Sequence, residues 1–150
     1  MGRLRHRLQG QKIYLDANIF IYAIEMTAPW FDELNDVFQG LSAGEFSAVT
    51  SSLCLSECLV QPFKRNRQDL VQIYRLALLP RAYLSIASID DPVLLLAASI
   101  RAQIGLKLPD AIHAATALTQ NCTAMLTNDM GFKRASDIEI LLLSDWVSSC

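Results

Sequence analysis

The chain has 150 residues, of which 52% are hydrophobic and 19% charged, with a formal net charge of −2. That length holds one domain with a real core, and the composition excludes a disordered chain. With no global basic signature, any nucleic acid would have to meet a local patch, or metal held by acidic side chains. No stretch reaches the roughly 18 uninterrupted apolar residues needed to cross a bilayer, so no membrane association is expected. The basic opening Met1-Gly2-Arg3-Leu4-Arg5-His6-Arg7 resembles the start of a signal peptide. The apolar segment after it contains Asp16 and Asn18 and lacks a small-residue cleavage site, so a cytoplasmic protein is expected.

Residues 1–11, with Arg3, Arg5 and Arg7, read as a basic arm without fixed structure, and residues 12–150 as one domain. Ile13 to Leu15 is a short strand. Asn18 is expected to cap a helix over Ile19 to Glu25, with Pro29 breaking it. Phe31, Leu34, Val37 and Phe38 recur at helical spacing until Gly40 and Gly44. Phe46 to Thr50 is the second strand. Ser51 or Ser52 then caps a helix that carries Glu57 and stops near Pro62. Lys64-Arg65-Asn66-Arg67 is a polar hinge. Leu70, Ile73, Tyr74 and Ala77 form a helical stripe closed by Pro80. Tyr83 to Ala87 is the third strand. Asp90 or Asp91 with Pro92 opens a long helix ended by Gly105. Pro109 lies in the first turn of a helix running to about Asn121. Ala124 to Thr127 and Ile138 to Leu143 complete the strands. Strands alternating with helices predict an α/β domain with a mostly parallel, about five-stranded sheet covered on both faces.

Four acids interrupt apolar stretches: Asp16, Glu57, Asp110 and Asp129. A carboxylate in such surroundings loses hydration worth several kcal/mol unless it is protonated, paired or metal-bound. Singly, three have ordinary structural readings. Asp16 suits a turn before a helix, Asp110 beside Pro109 is a favoured first-turn acid, and Asp129 in Asn128-Asp129 suits a turn. Glu57 does not. Its helical neighbours are Leu53, Cys54, Val60 and Gln61, with no Lys or Arg three or four residues away, so a distant cation or a metal must meet it. In open α/β sheets, sites form beyond the carboxyl ends of the strands, where all four acids belong.

Cys54, Cys58, Cys122 and Cys150 contain no CxxC pair and read as small core residues in a reducing compartment. A zinc site combining them with His113 has poor spacing support. His113, three residues after Asp110, is within reach of a general-acid role, although its alanine-rich setting equally suits a packed histidine.

With these pieces in order, the sequence resembles PIN-domain ribonucleases, in particular the VapC-type toxins of toxin–antitoxin pairs. The resemblance covers nearly the whole chain after the arm. It rests on Tyr14-Leu15-Asp16-Ala17-Asn18-Ile19-Phe20, Ser56-Glu57, Leu106-Lys107-Leu108-Pro109-Asp110-Ala111-Ile112-His113-Ala114-Ala115 and Leu126-Thr127-Asn128-Asp129-Met130-Gly131-Phe132. It implies a three-layer α/β/α fold and metal-dependent RNA cleavage. Carried over by position, the acidic quartet is Asp16, Glu57, Asp110 and Asp129, supported by Asn18, Thr127 and Asn128. It also implies an antitoxin protein partner and a homodimer.

Hard oxygen ligands suit Mg²⁺ or Mn²⁺ rather than zinc. Asp16 and Asp110 are the expected primary ligands, with Asp129 and Glu57 completing the site directly or through water. Lys64, Arg65 and Arg67, and Lys133 with Arg134, are candidate RNA phosphate contacts, or else solvated loop charges. The competing readings are a non-catalytic PIN-like module that binds RNA or protein, an RNA-processing enzyme, and a DNA-directed nuclease with the same pocket. An aspartate-phosphorylating enzyme of the dehalogenase type fails, because Asn18 stands where a second acid is needed.

Overall fold

The computed structural model describes residues 2–135 and 137–147. Cys150 and the last residues of the expected domain lie outside that range. Five strands form one sheet: β1 (Lys12–Leu15), β2 (Ser47–Ser51), β3 (Leu84–Ala87), β4 (Ala124–Thr127) and β5 (Glu139–Leu142). The order is β3-β2-β1-β4-β5, and every pairing is parallel. The expected α/β/α sandwich is therefore the observed one, with a wholly parallel sheet.

Burial on both faces follows from the alternation of side chains along each strand. In β1, Ile13 and Leu15 face one core cluster and Tyr14 faces the other. In β4, Ala124 and Leu126 join the first cluster and Met125 the second. Five helices carry residues of the first cluster: α1 (Arg3–Arg7), α2 (Ala17–Ile24), α3 (Phe31–Ser42), α4 (Ser52–Lys64) and α5 (Gln68–Ala77). The second cluster is covered by α6 (Asp91–Ile104) and α7 (Leu108–Thr119).

Local chemistry sets most of the helix ends. Asp90 caps α6 by accepting the Val93 amide at 3.2 Å, and Gly105 ends it in the left-handed region at φ 69°, where the absent Cβ removes the steric penalty. Asp16, not Asn18, is the N-cap of α2. Its carboxylate accepts the Ile19 amide, so the helix begins one residue after the strand-end acid, and Asn18 is left exposed on the first turn. Helix α4 continues past Pro62 to Lys64. A proline forfeits one helical bond, but the Pro62 ring is buried, which offsets that loss.

The N-terminal segment is not a loose arm. Leu4 and Leu8, four residues apart, are fully buried in the first core cluster. Arg5 reaches Asp36 at 3.0 Å and Glu45 at 2.7 Å, and Arg7 pairs with Glu139. The Arg3 guanidinium lies 5.5 Å from the Trp146 ring centroid. The three arginines are thus engaged with the body of the protein. Replacing Leu8 by Ala is expected to destabilise the chain by about 2–5 kcal/mol in urea unfolding, as for other buried leucines. An unstructured arm would give under about 0.5 kcal/mol.

Candidate active site

The sheet reverses direction of growth at β1. From β1 the chain adds β2 and then β3 on one side, and then returns through α6 and α7 to place β4 on the other. Such a switch leaves a crevice at the carboxyl ends of the two central strands. Asp16 follows β1 and Asp129 lies two residues beyond β4. Helix α4 leaves the carboxyl end of β2 and carries Glu57 on its second turn. Helix α7 leads into β4 and therefore starts at the same edge, with Asp110 in its first turn.

These four acids line one cavity of about 250 Å³, together with Asn18, His113, Ile21 and Phe132. No Lys or Arg lines it among the described residues. A second hollow of about 300 Å³, between α2, α3, α5 and β3, is lined by Phe20, Phe31 and Phe38 and contains no carboxylate. All four of the expected acids line the first.

Asp16 is 5% exposed. The Thr127 hydroxyl donates to its Oδ2, and the Ile19 amide lies 3.4 Å from its Oδ1. Burial raises its pKa to about 6, with the Thr127 hydrogen bond and the nearby His113 pulling the other way. Asp110 is also raised, first by burial and then by the charge of Asp129. Asp129 turns its Oδ1 onto the Gly131 amide at 2.8 Å. A Cβ at position 131 would sit 3.1 Å from that oxygen, so glycine permits the approach. The Asp129 amide itself donates to Thr127 Oγ1 at 3.1 Å, so Thr127 joins two of the acids.

Glu57 is half-buried and meets a distant partner: His113 Nε2 contacts its Oε1, from 56 residues along the chain. The imidazole is 2% exposed, and its Nδ1 lies 2.6 Å from Tyr14 Oη. His113 is therefore a bound, oriented side chain rather than a free general acid. No local sequence signal pairs it with Glu57.

The remaining expected site residues divide. Asn18 lines the cavity. Asn128 does not, and its Oδ1 accepts the Ser144 amide at 3.2 Å. Lys64 and Lys133 are exposed outside the cavity lining. Arg65 pairs with Glu25 at 3.3 Å, Arg67 with Asp69 at 2.7 Å, and Arg134 donates to the Gly105 carbonyl at 3.3 Å. Cys54 and Cys58 are buried with sulfurs 4.0 Å apart, and Cys122 is buried in the second cluster.

The four carboxylates, with no Lys or Arg in the wall among the described residues, form an oxygen donor set that fits a hard divalent ion. As the side chains stand, no three His, Cys, Asp or Glu residues form a group that could hold an ion directly, among the described residues. Glu57, Asp16 and Asp129 are each turned onto protein donors.

Fold and site together define a parallel α/β protein with an acidic crevice at its switch point. The PIN domain profile matches residues 13–138, and the chain belongs to that family. Helix α1 lies outside the match. Among similar solved structures, VapBC2 from Rickettsia felis, bound to a promoter DNA fragment, has a TM-score of 0.69 at 20% identity, covering 87% of this chain and 98% of that one. A toxin–antitoxin complex from Klebsiella pneumoniae gives 0.65 at 24% identity, covering 87% and 97%. VapC20 from Mycobacterium tuberculosis, described as a sarcin-ricin loop cleaving toxin, gives 0.69 at 12% identity, covering 83% and 95%. No curated protein gives a significant match. No described helix is long and apolar enough to cross a membrane.

Burial of Asp16 has a consequence for stability. Its folded pKa of about 6 lies above the usual carboxylate value of 3.8, so the folded state binds a proton more tightly. The stabilisation from that proton is fully present below pH 3.8 and is lost as pH rises through 6. In chelator, wild type is therefore expected to lose stability relative to Asp16→Asn between pH 5 and pH 7.5. The loss should be about 1.4 kcal/mol over that window, out of about 3 kcal/mol between the fully protonated and fully ionised limits, read by urea unfolding at each pH. Parallel pH profiles for the two proteins would contradict the burial.

Proposed function

We propose that the chain is a divalent-metal-dependent endoribonuclease that hydrolyses RNA phosphodiester bonds, and that it is the cytoplasmic toxin of a toxin–antitoxin pair. The observation that carries this reading is the convergence of Asp16, Glu57, Asp110 and Asp129, from four separate elements, on one cavity without a Lys or Arg in its wall. The similar structures described as toxin–antitoxin complexes and as an RNA-cleaving toxin support the choice of RNA and of an antitoxin partner.

On this reading Asp16 and Asp110 hold Mg²⁺ or Mn²⁺, with Asp129 and Glu57 engaging it directly or through water. The bound ion supplies positive charge to the scissile phosphate and a more acidic attacking water. Thr127 fixes the Asp16 carboxylate from the neighbouring strand. Asn18, exposed on the first turn of α2, offers an uncharged amide to the substrate at the cavity. Asn128, bonded to Ser144, acts by shaping the loop after β4. Lys64 and Lys133 are the freest of the proposed phosphate contacts. Arg65, Arg67 and Arg134 would have to exchange their present partners. The exposed Leu94 and Leu95 of α6 and Val60 and Phe63 of α4 offer apolar surface for a homodimer or an antitoxin.

One observation favours a second reading, a non-catalytic PIN module that binds RNA or protein: the carboxylates, as they stand, do not form a ready group for an ion. Incubation of the purified chain with structured RNAs separates the two. Cleavage is expected with Mn²⁺ or Mg²⁺, none with EDTA, and a loss of about 100-fold or more in Asp16→Asn. Cleavage that survives EDTA or the substitution sinks the metal-nuclease reading, and absence of cleavage under all conditions favours the binding module.

A further inference from the structure

The four carboxylates are not held alike. Asp16 takes the Thr127 hydroxyl and the Ile19 amide, Asp129 takes the Gly131 amide, and Asp110 stands in the first turn of α7. Glu57 has no such support. It sits within α4, where backbone amides are spent on the helix, and its side chain is longer and has more rotamers to lose. Its partner among the described residues is His113 Nε2.

The imidazole is fixed in turn. Tyr14 Oη lies 2.6 Å from Nδ1 and 3.0 Å from Ser51 Oγ, so a hydrogen-bonded chain runs from Ser51 on β2 through Tyr14 on β1 and His113 on α7 to Glu57 on α4. The Tyr14 and His113 rings are 5.6 Å apart, and Phe132 meets the imidazole edge-on at 6.5 Å. A histidine serving only to fill the core could satisfy both nitrogens within it. Here Nδ1 is satisfied inward, by Tyr14, and Nε2 is turned to the half-buried carboxylate of the cavity. An ionised carboxylate only accepts, so Nε2 is the donor.

We propose that His113 is a positioning residue for Glu57. It holds the carboxylate at the wall of the acidic cavity in the orientation from which it engages a divalent ion, and Tyr14 sets the face that the imidazole presents. The inference rests on the metal-site reading above. An outer partner that orients a ligand in this way commonly changes metal affinity by about 10- to 100-fold when removed.

Two substitutions separate the two nitrogens. His113→Gln keeps an amide near the Nε2 position, whereas His113→Asn reaches only toward Tyr14. Manganese affinity is measured by titration calorimetry without RNA, on wild type, both variants, Glu57→Gln and the double variant with His113→Asn. Circular dichroism checks that each is folded, and Tyr14→Phe serves as a further variant where one is not. His113→Gln is expected to bind Mn²⁺ within about threefold of wild type, and His113→Asn at least about tenfold more weakly. Adding His113→Asn to Glu57→Gln should then cost nothing further, because the histidine acts through that carboxylate. Tyr14→Phe should weaken binding by a smaller factor. Wild-type binding together with unchanged affinity in His113→Asn, or with full additivity in the double variant, overturns the positioning role alone. Failure of wild type itself to bind Mn²⁺ overturns the metal-site reading and this inference with it.

Discussion

The site is organised around one costly placement: a carboxylate, Asp16, at the end of the central strand with only 5% of its surface exposed. Its position is dictated by the parallel sheet, since the crevice of a switch-point topology opens where β1 ends and β4 begins to diverge from it. Leaving that carboxylate unsupported would cost several kcal/mol. The fold supplies two donors, one from the first turn of α2 and one from Thr127 at the end of β4. The same hydroxyl oxygen accepts the Asp129 amide, so the two central strands and two of the acids are tied through one threonine. Thr50, on the other side, donates to the Leu15 carbonyl at 2.8 Å and fixes the last residue of β1 from β2. The strand end is therefore braced from both neighbours.

The other three acids reach the same crevice by different routes, and their surroundings differ accordingly. Asp110 and Asp129 sit at helix starts, where first-turn geometry and backbone amides tolerate negative charge. Glu57 is the exception, mid-helix and reliant on a side chain from the opposite layer of the sandwich. His113 belongs to α7, on one face of the sheet, and Glu57 to α4, on the other. The contact between them passes over the carboxyl edge of the strands.

Strand positions were legible because β1 and β4 are short apolar runs ended by an acid, and a strand buried on both faces needs no more than that. The convergence of the quartet was legible for the same reason: strand ends and helix starts share an edge once the sheet is parallel. What did not read from the sequence was pairing at a distance. Glu57 visibly lacked a local cation, but nothing near it named His113. The Asp16 cap was missed because Asn18 is as good a capping residue, and only the backbone decides which of the two sits at the first turn. Helix α1 was missed because three arginines among seven residues resemble a solvated tail. The signal against that reading was Leu4 and Leu8, spaced four apart, which place two apolar side chains on one helical face.

Charge placement explains how a nearly neutral protein keeps a strongly acidic cavity. Four of its nine arginines are matched by acids: Arg5 by Asp36 and Glu45, Arg7 by Glu139, Arg65 by Glu25 and Arg67 by Asp69. These pairs consume acids that lie outside the crevice and leave the four inside it without a Lys or Arg in the wall. The exposed pairs among them add little stability. On the proposed reading the acidic wall has an ordered consequence. An anionic cavity attracts a divalent cation and repels a phosphodiester, so the negative field must be reversed before RNA can settle there. His113 cannot do this, since it is buried and committed to Glu57. The reversal has to come from an added ion, with the exposed Lys64 and Lys133 outside the cavity lining able to attract the backbone but not to neutralise four carboxylates.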